Sequence, residues 1–547
     1  MLPLRFDRAA PTATSTQVNI VDRHRLRETP AHYANILSSQ EERAMTKNIV
    51  IFSDGTGQEG GIRVEQRLSN IYKMYRVCRV SPETNINPRE QVAFYDPGLG
   101  TETTATGFTS VVRWVQKTLA SVSGRGITTN IVDCYEFLIN HYEPGDRIFL
   151  FGFSRGAYTV RSVANLLMLC GIPSRDGDQP LARFRKAVRD IASSAVHNVL
   201  EHGAGHPRAK FEDERLELAR RFRARYGADH ESGEPHRSNA SPYFIGVFDT
   251  VAALGVKGPL AIGIKIFLAA GAALLAAALA FVPAVVVAGV LSFFGFAFWC
   301  SMLALVGLAA VAGGVLITWQ QRRSIRKVIR DFPHPGDKSS HLAEWKGEHF
   351  DRLLSRFVGY ARSANAIDET REDFARVGWG PTREMPEERN GVRTFKQLWF
   401  AGNHSDIGGS YPESESRLSD IALQWMIEEA LEVPDGLKIG PVIVDGKRLP
   451  QTSEDGTPLH LFPRADGLQH CEVAGMQDVL EARIPRWLRR FTSGLGWKTN
   501  IREINPEAPV HPTVEERFQL TQVPQCAGSG PYRPEALRNH EKFRAYY

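Results

Sequence analysis

A serine that can act as a nucleophile stands at position 154, inside Gly152-Phe153-Ser154-Arg155-Gly156. The apolar run 147–151 precedes it and a helix-forming stretch, 157–168, follows. Strand, sharp turn and helix push such a serine out of the sheet, and the flanking glycines permit the tight backbone. The free N–H groups of the helix start then face any negative charge that develops there. The plainer reading is a strand-to-helix turn whose serine caps the helix.

Acyl transfer by a serine needs a base, an acid to orient that base, and donors for the oxyanion. Two further apolar strands end in the required residue types. The run 243–248 ends in Asp249-Thr250-Val251, and 397–402 ends in Asn403-His404-Ser405-Asp406. Ser154, Asp249 and His404 thus follow one another in the chain order Ser, Asp, His. The backbone N–H of Arg155 is one oxyanion donor. Gly55 or Thr56, in the loop Ser53-Asp54-Gly55-Thr56-Gly57 after the first strand, is the candidate for the second. Asp54 and Asp406 are supporting residues. Asp406 either orients a base or stabilises its own turn. His511 comes late enough to rival His404 as base, but lies in a proline-containing loop with no strand before it. The remaining histidines lie mostly in polar loops and read as surface.

The elements that must position these residues alternate between strand and helix. The strand 46–52 is followed by a helix over 69–80 and a short strand at 92–95. That strand runs into the glycine-rich loop Asp96-Pro97-Gly98-Leu99-Gly100-Thr101. An amphipathic helix over 127–142 stops at Pro144-Gly145-Asp146 and leads into the serine strand. This rhythm predicts parallel βαβ units, with ligands at the carboxyl edge of the sheet. Residues 203–241 read as a polar surface insertion with one helix, 212–226, whose arginines Arg220, Arg221, Arg223 and Arg225 form a solvated face.

The 547 residues carry a net charge of only +5 and no basic stretch with interleaved aromatics, so no nucleic-acid partner is expected. Nothing calls for a cofactor or a metal. The six cysteines form no C-x-x-C pair and imply neither a zinc site nor a disulfide framework, so a reducing compartment is expected. Residues 1–44 are polar, lack the apolar core of a secretory signal and are expected to be poorly ordered.

Between the aspartate and the histidine, residues 266–321 contain no Asp, Glu, Lys or Arg. A bilayer span needs ~20 residues, so this stretch holds two spans and falls short of three. Glycines and aromatics at 289–299 suit a turn between them. Lys257 and Lys265 precede it and Arg322, Arg323, Arg326, Lys327 and Arg330 follow, which places both flanks in the cytoplasm. A second, interfacial contact is suggested at 482–491, where apolar residues share one helical face and arginines lie off it. The expected fold is therefore α/β and α/β-hydrolase-like: a mostly parallel sheet with helices on both faces, interrupted by a transmembrane helical hairpin. Its parts are a first hydrolase segment (45–256), the hairpin insertion (257–330), a second segment (331–435) and a C-terminal region (436–547) packed on the hydrolase, a candidate lid or membrane-surface contact.

As a set, the segments 52–56, 95–101, 152–157, 248–251 and 404–409 resemble the DUF2235 α/β-hydrolases, which include the Tle1-type phospholipase effectors of type VI secretion. The resemblance spans about residues 48–432 apart from the inserts. It implies a hydrolase triad at the matching positions Ser154, Asp249 and His404, and phospholipase A activity for the Tle1-type members. The apolar hairpin departs from the soluble pattern and favours a resident enzyme of the bacterial inner membrane, with its soluble parts in the cytoplasm and lipid esters as substrate. The competing readings are a non-catalytic membrane scaffold, and a metal-dependent phosphoesterase built on Asp54, Asp96, Asp249, His404 and Asp406.

Overall fold

The computed structural model describes residues 46–55, 67–98, 125–251, 258–344, 354–380, 385–472, 499–525 and 528–547. The N-terminal extension and the interfacial segment 482–491 fall outside them. Six strands form the central sheet: β1 (Asn48–Ser53), β2 (Gln91–Asp96), β3 (Arg147–Phe153), β4 (Pro242–Phe248), β5 (Tyr360–Ala366) and β6 (Phe395–Phe400). Their spatial order is β6-β5-β4-β3-β1-β2, and every pairing is parallel. The order reverses between β1 and β3, the kind of point at whose carboxyl ends open α/β sheets bind their ligands.

Both faces of the sheet are buried. On β3, Ile148 and Leu150 pack to one side and Phe149 and Phe151 to the other. The first face is covered by α2 (Arg125–His141) and α3 (Arg155–Cys170), the second by α1 (Asn70–Cys78) and α8 (Arg417–Glu432). The sequence reading missed β5. Its residues, Tyr-Ala-Arg-Ser-Ala-Asn-Ala, look like a polar loop, yet all seven are buried. Arg362 is tolerated there because Glu429 pairs with it inside the protein. β5 therefore separates the aspartate strand from the histidine strand.

The outer edge of β6 is closed by the C-terminal region, where Trp399 bridges to Val510. Trp399 also packs in a cluster with Val514, Phe518 and Tyr532. This contact covers part of an edge that would otherwise be open to another strand.

Helices α5 (Gly258–Ser292) and α6 (Phe298–Ile325) form the apolar hairpin, with the turn at 293–297. Ile266–Ser292 and Phe298–Ile325 are long and apolar enough to cross a membrane. Their large side chains face outward, Leu274 at 73% and Leu279 at 71% exposure. The two helices touch through small residues, and a Cβ on Gly313 would stand 2.6 Å from that of Ala276. A short antiparallel hairpin, Arg326–Arg330 with Lys338–Leu342, receives the chain as it leaves α6.

One expectation about the surface needs correction. In α4 (Glu212–Tyr226), Arg223 is not solvated: it is 2% exposed and donates to Leu169 O at 2.7 Å. Arg221 donates to the carbonyls of Arg330 and Asp331. Among the described residues, Cys78, Cys134, Cys170 and Cys300 are free thiols.

Gly156 shows how tightly α3 sits on the sheet. A Cβ there would stand 2.0 Å from the carbonyl oxygen of Ser53. Gly156→Ala must lift the helix start off β1, and is expected to cost about 3 kcal/mol, read as a lowered denaturation midpoint.

Candidate functional site

Phe153 pairs in register with Phe248, so Ser154 and Asp249 are the next residues on neighbouring strands. Both leave the sheet through positive φ, 58° at Ser154 and 36° at Asp249. Such backbone costs ~1–3 kcal/mol per residue and clusters at functional sites. It is held by Ser154 N–H donating to Phe248 O (3.2 Å) and Asp249 N–H donating to Ala364 O (2.7 Å). Ser154 does not cap α3 with its side chain. The capping alternative is thereby removed.

His404 opens a short helix, α7 (His404–Gly408), rather than lying in a loop. Asn403 accepts from the N–H groups of Ser405 and Asp406, while Asp406 accepts from Asn403 N–H. This reciprocal cap fixes where the imidazole begins. The ring lies 4.6 Å from that of Phe153 and meets Phe374 edge-on at 5.1 Å. Gly408 lets α7 rest on Phe153, since a Cβ there would overlap that ring. His404 Nδ1 and Asp249 Oδ2 are 2.6 Å apart. Nε2, the nitrogen left to take a proton, is buried and has no hydrogen-bond partner among the described residues. No hydrogen bond joins it to Ser154 here; such contacts often tighten only when substrate is bound.

Arg502 was not anticipated. Its guanidinium grips Asp249 with both nitrogens, 2.6 Å to Oδ1 and 2.9 Å to Oδ2. It also donates to the carbonyls of Ala366 and Phe374. The Asp249 carboxylate takes a further N–H from Ala366 at 3.0 Å. Burial by itself would raise the Asp249 pKa, but Arg502 and His404 outweigh it and hold the group ionised, below its ordinary range. No local pattern marks Arg502, which lies 253 residues from its partner.

Asp54 sits beside the serine: a Cβ on its neighbour Gly55 would stand 3.4 Å from that of Ser154. Its carboxylate accepts from Ser69, from Tyr95 (2.8 Å) and from Gly55 N–H (2.7 Å), and burial pushes its pKa up to about 6. The Gly55 amide is therefore already engaged, contrary to its expected role as a free oxyanion donor. Thr56 lies outside the described residues. Arg155 is half-buried at the first position of α3.

The rivals are placed elsewhere. Asp406 accepts from His470 at 2.7 Å as well as from its own cap. His511 caps the helix Pro512–Gln519 and stacks on Phe400, and burial lowers its pKa to about 4. Asp96 is occupied by Ser53 (2.6 Å) and Asn130 (3.0 Å). Of the five residues of the metal reading, only Asp249 and His404 bond each other, and Asp54, Asp96 and Asp406 are held by other partners.

A parallel α/β sheet with a serine on a strained strand-to-helix turn, beside a buried aspartate–histidine pair, defines a candidate hydrolase. The profile described as the T6SS phospholipase effector Tle1-like catalytic domain matches residues 47–271 and 324–429, and the chain belongs to this family. The match breaks where the apolar hairpin continues. An uncharacterized protein of Saccharomyces cerevisiae is 23% identical over 481 residues, 79% of this chain and 64% of its own length. An uncharacterized protein from Pseudomonas aeruginosa, of known crystal structure, is 16% identical over 74% of this chain and 48% of its own, with a TM-score of 0.30. The Tle1 effector bound to the VgrG spike of the type VI secretion system is 18% identical over 68% and 52%, with a TM-score of 0.23. The chain spans less than two thirds of the length of each.

Arg502→Gln tests the anchoring of Asp249. A carboxylate with a depressed pKa stabilises the fold above its unfolded value, and that stability is lost as pH falls through the folded value. Without the guanidinium, only His404 and the Ala366 N–H oppose the burial of Asp249, and its pKa rises. The acid-unfolding midpoint should then move to higher pH, with about 3–5 kcal/mol lost at neutral pH. An unchanged acid midpoint would contradict the assignment.

Proposed function

We propose that this protein is a membrane-anchored serine hydrolase that cleaves acyl esters of lipids, phospholipids foremost. The carrying observation is the site itself: an uncapped Ser154 at positive φ beside a buried, hydrogen-bonded Asp249–His404 pair. Membership of a phospholipase family supports the substrate class.

In this reading His404 Nε2 takes the Ser154 hydroxyl proton as Oγ attacks the ester carbonyl. Asp249 fixes the ring and balances the imidazolium. The oxyanion is held by the Arg155 N–H and by a donor from the loop after β1, with Thr56 preferred because Gly55 is engaged by Asp54. His404 then protonates the leaving alcohol, and water, deprotonated by the same ring, releases the fatty acid. The hydrolase-like core is assembled from 45–256 and 331–435, and the C-terminal region 436–547 contributes Arg502.

The 2.6 Å contact between Asp249 and His404 also bears on topology. Asp249 precedes the apolar hairpin and His404 follows it, so both flanks lie on one side of any membrane crossed, and the number of spans is even. The basic flanks favour the cytoplasmic face of an inner membrane. Membership of an effector family favours the opposite side, where a secreted effector would work. Cysteine labelling at Glu413 and Ser292 in sealed vesicles separates the two orientations.

Ser154→Ala should lower ester turnover by ~10⁴-fold or more and abolish labelling by a fluorophosphonate, while the denaturation midpoint holds. Retention of more than a few per cent of activity would sink the assignment. Replacing 266–321 with a short Gly/Ser linker should release the enzyme from membranes, keep hydrolysis of soluble esters and reduce hydrolysis in bilayers.

A further inference from the structure

Away from Ser154, three side chains that read as surface in the sequence converge, one of them buried and two half-buried. His202 is 1% exposed and its Nε2 stands 2.6 Å from Glu214 Oε2. His341, on the strand Lys338–Leu342, meets the His202 ring at 4.5 Å, nearly perpendicular. One ligand-type atom from each of the three lies within 4.8 Å of the others. We propose that His202, Glu214 and His341 form a zinc-class metal site that clamps the exit of the apolar hairpin onto the catalytic body.

The donor set is that of a zinc site with three protein ligands, two imidazoles and a carboxylate, leaving a fourth position for water. Donors around such a metal stand ~3.4 Å apart. The His202–Glu214 contact must open by about an ångström, and the widest separation must close by a similar amount. A second observation points the same way. His341 Nδ1 is buried and has no hydrogen-bond partner among the described residues. Its Nε2 accepts the Gly203 N–H at 3.0 Å. Ligation at Nδ1 puts the ring proton on Nε2, so the Gly203 N–H must turn from it to another acceptor, and the proton His202 Nε2 shares with Glu214 must move to the other nitrogen of that ring or leave.

The surroundings hold the ligands ready. Phe211 stacks on His341 at 3.8 Å, and Ser339 donates to the other Glu214 oxygen at 2.9 Å. Of the nearby cations, Arg215 pairs with Glu212 and Lys327 with Glu201, while Lys210 lies over the Phe211 ring.

Position gives the site its meaning. His202 and Glu214 belong to the catalytic body, and His341 to the short hairpin that follows α6. A metal there joins segments 127 residues apart (from Glu214 to His341) across the whole apolar insertion. It makes the hairpin's return point a fixed part of the body, without touching Ser154.

The test uses the full-length protein in detergent, stripped with a chelator and titrated with zinc chloride against a chromophoric competitor. One equivalent should bind with sub-micromolar affinity and raise the melting temperature by several degrees. His341→Ala and Glu214→Gln should each weaken binding by roughly 100-fold and remove the zinc-dependent rise. Their zinc-free melting temperatures should match that of the zinc-free parent, which shows that they fold. His206→Ala, which spares all three ligands, should bind as the parent does. Absence of stoichiometric binding in the parent, or undiminished binding in His341→Ala, overturns the proposal. So does a zinc requirement for hydrolysis of soluble esters that persists in His341→Ala, because the metal would then sit elsewhere.

Discussion

The Asp249 carboxylate is the point on which the rest of the arrangement depends. It is wholly buried, and an ion in that position is tolerable only if its oxygens are fully occupied. Arg502 supplies two donors, Ala366 one and His404 one. These partners come from the C-terminal region, from β5 and from the helix after β6. The requirement to neutralise one carboxylate thus fixes three separate parts of the chain around the serine strand.

The same contact disciplines the apolar insertion. A hairpin of two long helices sits between the aspartate and the histidine, yet the sheet closes across it as though it were absent. That is possible because an antiparallel helix pair returns the chain close to where it left. Exposed leucines and phenylalanines along both helices would each cost about 1.5–3 kcal/mol in water relative to burial. The junction between body and hairpin is where specific polar contacts gather, among them Lys327 with Glu201 and Arg221 with the carbonyls of Arg330 and Asp331.

The sequence by itself determined the strand-turn-helix at Ser154, the order serine, aspartate, histidine, the parallel βαβ rhythm and the length of the apolar stretch. These are local signals, carried by glycine sterics, side-chain periodicity and the absence of charge over many residues. Tertiary structure alone decided what long-range partners do. β5 is invisible as a strand because Arg362 and Asn365 become acceptable only once Glu429 and Leu398 O are beside them. Arg502 is one arginine among many until the fold brings it to Asp249. Gly55 reads as a free amide until Asp54 turns back upon it, and His202 and His341 read as surface until a helix and a hairpin enclose them. Periodicity reports which face of an element is apolar. It cannot report which distant polar group will meet another, because that depends on the packing of whole elements.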